Sequence, residues 1–176
     1  MSCWPLWSDG KKGTHPCPCG YRGDPRRECR CSTTQVQNYR SRISGPLLDR
    51  IDIHIEVPSV RYQDLSGVRR GDPSAEIRRR VAAARSIQME RFRGHRRVTC
   101  NAGIGAKEVQ AHAPVSKDAQ ELLKMAMTDM NFSARAHDRV IKVARTIADM
   151  AGAEVIAPEH ITEAIQYRSL DRNLWL

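Results

Sequence analysis

The stretch Ser133–Gly152, SARAHDRVIKVARTIADMAG, decides the fold. Ser133 suits a helix N-cap, because its hydroxyl can accept one of the amide protons that the first turn leaves unpaired. Ala136, Val140, Val143, Ala144, Ile147 and Ala151 then recur at helical spacing and form one inward face. Gly152 supplies the stop, since only glycine enters the left-handed region without steric cost. Arg145 sits among these apolar positions and is expected to pair with Asp149 one turn on.

Working outward, similar grammar recurs. Pro158 opens a last helix carrying Ile161, Ala164 and Ile165, and Ser116 caps SKDAQELLKMAMTDM. Asp72 is expected to cap a helix with Pro73 at its first position, which buries Ile77, Val81, Ala84 and Ile87 while Arg78, Arg79, Arg80 and Arg85 project elsewhere. Between these elements, 95–115 has little periodicity and reads as a loop. The sum is a four-helix unit over about 72–170. Upstream, IDIHIEV (51–57) alternates strictly, with Ile51, Ile53, Ile55 and Val57 on one side and Asp52, His54 and Glu56 on the other. Such alternation predicts a half-buried strand, stopped by Pro58. Ser32 is expected to cap a helix with Val36, Tyr39 and Ile43 on one face, followed by a break at Gly45-Pro46. Residues 1–13 fit no period. The fold class is therefore mainly α, with a mixed α/β piece at 14–66 ahead of a helical domain at 67–176.

The chain has 176 residues and a formal charge of +9, carried mostly by arginine. That balance favours a polyanionic partner such as DNA, though a solvated basic face would show the same excess. No run approaches the roughly 18–20 apolar residues that span a bilayer. Pro5, Ser8 and Asp9 interrupt what would be the apolar core of a signal peptide. The expectation is a cytoplasmic chain with no membrane partner, in which thiols stay reduced.

Four of the six cysteines, Cys17, Cys19, Cys29 and Cys31, lie in two C-x-C pairs flanking a loop rich in turn residues and arginine. Two converging pairs can offer four thiolates to one tetrahedral Zn2+. Arg22, Arg26, Arg27 and Arg30 would offset the resulting charge of minus two. Reduced, unliganded thiols are the competing reading. Redox chemistry is weaker, since no C-x-x-C opens a helix. Cys3 reads as a stray thiol and Cys100 as a buried small residue.

PCPCGYRGDPRRECRC, YRSRISGPLLDRIDIHIEVP, SARAHDRVIKVARTIADMAG and HITEAIQYRSLDR together resemble the C-terminal part of the bacterial magnesium-chelatase-like AAA+ ATPases of the ComM/YifB group, from about Pro16 to Arg172. The resemblance implies an α/β ATPase core passing into a helical lid, in a homo-oligomeric ring that drives DNA branch migration during recombination. It marks Arg50, in SGPLLDRID, as an arginine finger lent in trans to a neighbour's ATP. A guanidinium stays charged and forks two donors towards phosphate oxygens. The plainer alternative pairs Arg50 with Asp49 or Asp52. Arg135, in SARAHDR, matches the sensor-2 arginine that contacts ATP, with Arg139 one turn further as its rival.

The sequence also departs from that pattern. It contains no G-x-x-x-x-G-K-S/T phosphate cradle, and no apolar strand ending in acidic residues precedes the cysteine loop. His15 stands where the family has a sensor-1 asparagine. A truncated or split gene is the expectation, with ATP and Mg2+ used only beside a complete core. The alternatives are a non-enzymatic nucleic-acid-binding module and a fragment of a magnesium-chelatase ATPase subunit; a decayed, inactive fragment is a further reading.

Overall fold

The computed structural model describes residues 6–8, 11–13, 15–55, 57, 71–95 and 98–168, and over these the chain is mainly helical. Two units form. The described residues up to Leu48, with Val57, make the first, and Asp49–Ile55 with the described residues from Gly71 onward make the second.

In the first unit β1 (Leu6–Ser8) and β2 (Lys11–Gly13) pair antiparallel, with Leu6 opposite Gly13 and Trp7 opposite Lys12. Residues 1–13 are thus not wholly irregular. The cysteine loop comes next, then α1 (Thr33–Arg40). Ser32 caps α1 as expected, and Gln35 returns the bond to complete a capping box. The expected break after α1 is present, but Gly45-Pro46 also opens a one-turn helix, α2 (Gly45–Leu48). The only described apolar side chains buried in this unit are Cys17 and Val36. Burying a valine is worth about 1.5–3 kcal/mol, whereas ordering each residue's backbone costs about 1–2 kcal/mol. Apolar burial on this scale does not hold some thirty residues in place.

The second unit contains α3 (Ser74–Arg91), a short 3-10 turn (Asn101–Gly103), α4 (Ala106–His112), α5 (Lys117–Asp129), α6 (Ala134–Met150) and α7 (Pro158–Gln166). Helix α6 is central and touches α3, α4, α7 and the 3-10 turn, while α5 also packs on α7. Ser116 and Ser133 cap α5 and α6 through their hydroxyls, and Pro158 opens α7. The core gathers Leu123, Val140, Ile141, Ala144, Ala148, Ile156, Ile161 and Ala164 with Phe92, Ile104 and Val109. The inward face of α6 is rotated slightly from expectation: Ile141 and Ala148 are buried, Val143 and Ile147 only partly, and Ala151 is exposed. A parallel bridge joins Val115 to Ile156 through Ile156 N–H to Pro114 O and Ser116 N–H to Ile156 O.

Three expectations fail in this unit. The 95–115 segment is not simply a loop, because it holds the 3-10 turn and α4, whose Gly105 N–H is bonded by Glu108. Asp72 does not cap α3; it pairs with Arg80 instead. Of the stripe Ile77, Val81, Ala84 and Ile87, only Ala84 is buried, joined by Gln88. Ile77, Val81 and Ile87 are 46%, 49% and 39% exposed, so most of the stripe is not buried by described residues.

The expected strand at 51–57 is also overturned. None of its described residues pairs in a sheet, and Ile53, Ile55 and Val57 are exposed while His54 is buried. The alternation is real, but over 52–54 Asp52 is half-buried, Ile53 exposed and His54 buried. Asp52 finds a cation on α6 and the His54 backbone N–H finds the carbonyl of Tyr167, so polar bonds anchor this stretch.

The expected Arg145–Asp149 pair forms and is the centre of a larger network. Arg145 and Asp149 are almost fully buried. The Arg145 Nε donates to Asp149 Oδ1 at 3.0 Å, and its two Nη atoms donate to the carbonyls of Glu154 (2.6 Å) and Ala153. Arg91 donates to both Asp149 oxygens, and Asn101 Nδ2 donates to Asp149 Oδ2 at 2.8 Å. The Gln88 Oε1 accepts from the Asn101 backbone N–H at 3.2 Å. Burial acts to raise the Asp149 carboxyl, but the hydrogen bonds of Arg91 and Asn101 and the charge of Arg145 outweigh it and hold it below the ordinary value.

Asp149→Asn leaves two guanidinium groups short of their shared anion and should cost the second unit about 3–5 kcal/mol in urea unfolding. Because the folded carboxyl titrates below its unfolded value, the stability it adds is present above about pH 4 and is lost as pH falls through the depressed value. An acid titration of stability should therefore be steeper in this chain than in Asp149→Asn.

Candidate functional site

Two groups of residues have the chemistry of a site, one in each unit. The first begins at the start of α6. Ser133 Oγ accepts from Ala136 N–H at 3.2 Å and donates to Asp49 Oδ2 at 3.1 Å. Three residues on, Asp52 forms an ion pair with Arg139, one turn into α6. Arg168 Nη1 donates to Ile51 O at 2.8 Å, and His54 N–H donates to Tyr167 O at 2.6 Å. The segment 49–54 is thus tied at four points to α6 and to the end of α7.

Among the described residues Asp49 and Asp52 are committed in this way, and Asp138 faces His137 at 3.2 Å. Arg50 is exposed and makes no ion pair with any described residue, so the pairing with Asp49 or Asp52 is not realised. Arg135 is also exposed, in the first turn of α6. The bond from Ser133 to Asp49 brings the neighbourhoods of both arginines to one end of the helix, which also presents the positive end of its backbone dipole. An exposed arginine in the first turn of α6 and another next in sequence to the partner of its N-cap have the chemistry to meet phosphate oxygens. Arg139 differs from Arg135 in being held by Asp52. The docking role of Asp49, Asp52 and Arg139 escaped sequence reasoning, because their partners lie more than 80 positions away.

The second group is the cysteine loop. Gly20 and Gly23 have φ of 83° and 84°, and these left-handed turns reverse the chain between the two C-x-C pairs. Asp24 Oδ1 accepts from Arg26 N–H at 2.8 Å and tightens the reversal. The Arg27 guanidinium lies 5.1 Å from the Tyr21 ring centre and donates to its hydroxyl. The four sulfurs converge as a result. Cys17 to Cys19 is 3.4 Å, Cys19 to Cys29 and Cys17 to Cys29 are 3.6 Å, and all four ligand atoms lie within 4.8 Å of one another. All four thiols are free.

A tetrahedron with metal–sulfur bonds of about 2.3 Å has sulfur–sulfur edges of about 3.8 Å, close to this spacing. The cluster could hold a metal ion. Four soft thiolates do not fit Mg2+, which takes oxygen ligands. Cys17 is buried, Cys29 and Cys31 are half-buried and Cys19 is exposed, so the cluster has a closed side and an open edge. The backbone N–H of Tyr21 lowers the Cys19 thiol to about 6. The hydrogen bond with Cys19, together with burial, pushes Cys31 up to about 12. Of the remaining cysteines, Cys100 is half-buried and faces Arg85, and Cys3 lies outside the described residues.

Comparison with known proteins covers nearly the whole chain. The family model for the magnesium chelatase subunit ChlI C-terminal region matches residues 71–168, and that for the magnesium chelatase subunit ChlI matches residues 12–65. The competence protein ComM of Haemophilus influenzae is 37% identical over 162 residues, covering 91% of this chain. The uncharacterized protein YifB of Salmonella typhimurium is 36% identical over the same length. A protein of Mycobacterium tuberculosis, Rv2897c, is 30% identical over 168 residues. The chain spans 30% of the length of the first two and 33% of the third.

Because Ser133 both caps α6 and holds Asp49, Ser133→Ala should cost about 1 kcal/mol from the cap alone. It should also quicken amide exchange over 50–54. A double-mutant cycle between Asp52→Ala and Arg139→Ala should return a coupling of about 0.5–1 kcal/mol, as for a partly exposed pair.

Proposed function

Because the chain belongs to the family of the magnesium chelatase subunit ChlI, we propose that it serves as the phosphate-sensing portion of a ComM-like AAA+ motor. In this reading residues 14–66 end an α/β ATPase core and 67–176 form its helical lid. Arg50 is the finger offered in trans to a neighbour's ATP, and Arg135 is the sensor-2 cation. Both act in a homo-oligomeric ring on Mg2+-bound ATP held by a complete core. The work of such a ring is DNA branch migration in a cytoplasmic setting, and a structural Zn2+ occupies Cys17, Cys19, Cys29 and Cys31. The observation that carries the proposal is the exposure of Arg50 and Arg135 at the end of α6, where Asp49 and Asp52 are committed to Ser133 and Arg139.

A second reading, a basic nucleic-acid-binding module, draws on α3. Arg78, Arg79, Arg80 and Arg85 are all exposed along it, and only Arg79 and Arg80 have described acidic partners on that helix or at its start. Binding of this kind would go to phosphates and lack base specificity.

The chain alone should show no ATP turnover, since its sequence holds no phosphate cradle. Mixed with a P-loop-bearing core of the same family that lacks its own finger segment, it should restore hydrolysis. Arg50→Ala should then lower kcat by about 10³ or more, and an unchanged kcat would sink the finger assignment. Binding to forked DNA should weaken steeply between about 50 and 200 mM salt, by about tenfold or more.

A further inference from the structure

We propose that metal coordination by Cys17, Cys19, Cys29 and Cys31 is the event that folds residues 15–44, so that this segment is ordered with Zn2+ and unfolded without it. This rests on the zinc reading above and deepens it from occupancy to a folding switch. Three observations carry it.

The segment lacks a core of its own, since Cys17 and Val36 are its only buried apolar side chains. Below a certain core size small folds need a staple such as a disulfide or a metal. Disulfides are not that staple, because all four sulfurs are free and stand 3.4 Å or more apart at their nearest.

The other bonds in the segment are mostly local. Gly20 N–H to Cys17 O, Asp24 N–H to Tyr21 O and the capping box of α1 each span three residues. Helix α1 has eight residues, too few to persist unaided in water. Among the described residues, the long-range hydrogen bond from α1 to the loop is that of Arg40 Nε to Pro16 O at 3.4 Å. The Arg27–Tyr21 contact spans six residues inside the loop, and the sulfur cluster joins the two cysteine pairs to each other directly.

The cluster is pre-shaped for one tetrahedral ion and for little else. Four thiolates brought this close repel unless a cation lies between them, and the shared-proton contacts among the thiols give way as protons are released to solvent on metal binding. Cys17 itself is one of the two buried residues, so the ligand set and the minimal core are the same place. Losing the ion removes both. The exposed Cys19 edge gives a chelator direct access.

The test uses the full chain, reduced and stripped with a chelator, then titrated with Zn2+ and in parallel with Co2+, whose absorption reports thiolate coordination. Amide exchange is followed over 15–44 and over α5 to α7. One equivalent of Zn2+ should slow exchange across 15–44 by about tenfold or more and leave α5 to α7 unchanged. Cys29→Ser should abolish both the Co2+ spectrum and the protection, whereas Val36→Ala should keep the spectrum. Full protection of 15–44 in the metal-free chain would overturn the folding switch, even with one equivalent of metal bound, and would leave the zinc reading standing. Absence of Co2+ or Zn2+ binding would overturn both.

Discussion

A single buried carboxylate, that of Asp149, organises the helical unit. Two guanidinium groups and one amide converge on its two oxygens, and they come from α3, from the 3-10 turn and from α6 itself. Arg145 extends the arrangement to the carbonyls of Ala153 and Glu154, which orients the chain as it leaves α6 for α7. Apolar residues of similar volume could hold these elements together as firmly. A fully bonded ionic cluster does something different, because it accepts only one relative placement of its donors. Any other register leaves a charge buried without its partner. That constraint fixes α3 beside α6, even though α3 contributes little apolar surface of its own.

The same logic governs the segment that carries Arg50. Its four anchoring bonds are polar and distant in sequence, and they fix where this stretch lies on the helices. A period of two reveals that two faces exist but not which face meets protein, since isoleucines are buried only where something apolar awaits them. Here the waiting groups were a cap hydroxyl, two arginines and a carbonyl.

Legibility in the sequence tracked the range of the interactions. Helices α5 to α7 were readable because their caps, their periodic faces and the Arg145–Asp149 pair all lie within a turn or two. The four cysteines were readable as a group because their spacing is local, and the structure adds that the sulfurs meet. The apolar stripe of α3 misled, since periodicity reports what a helix could bury and says nothing of how far its neighbours extend. Helix α4 was missed because Gly103, Gly105 and scattered alanines dilute any period. The placement of Arg91 and Asn101 on Asp149 spans 48 or more positions and left no local mark.

The outward row of Ile53 and Ile55 bears on colloidal behaviour. These side chains are 45% and 65% exposed, a pair of apolar groups open to contact with another copy. The formal charge of +9 opposes such encounters through mutual repulsion between copies. Salt screens that repulsion over a few ångströms at high concentration but does nothing to weaken apolar contact. The formal charge therefore opposes contact between copies at this row, and raising ionic strength moves the chain towards self-association even as it loosens any hold on polyanions.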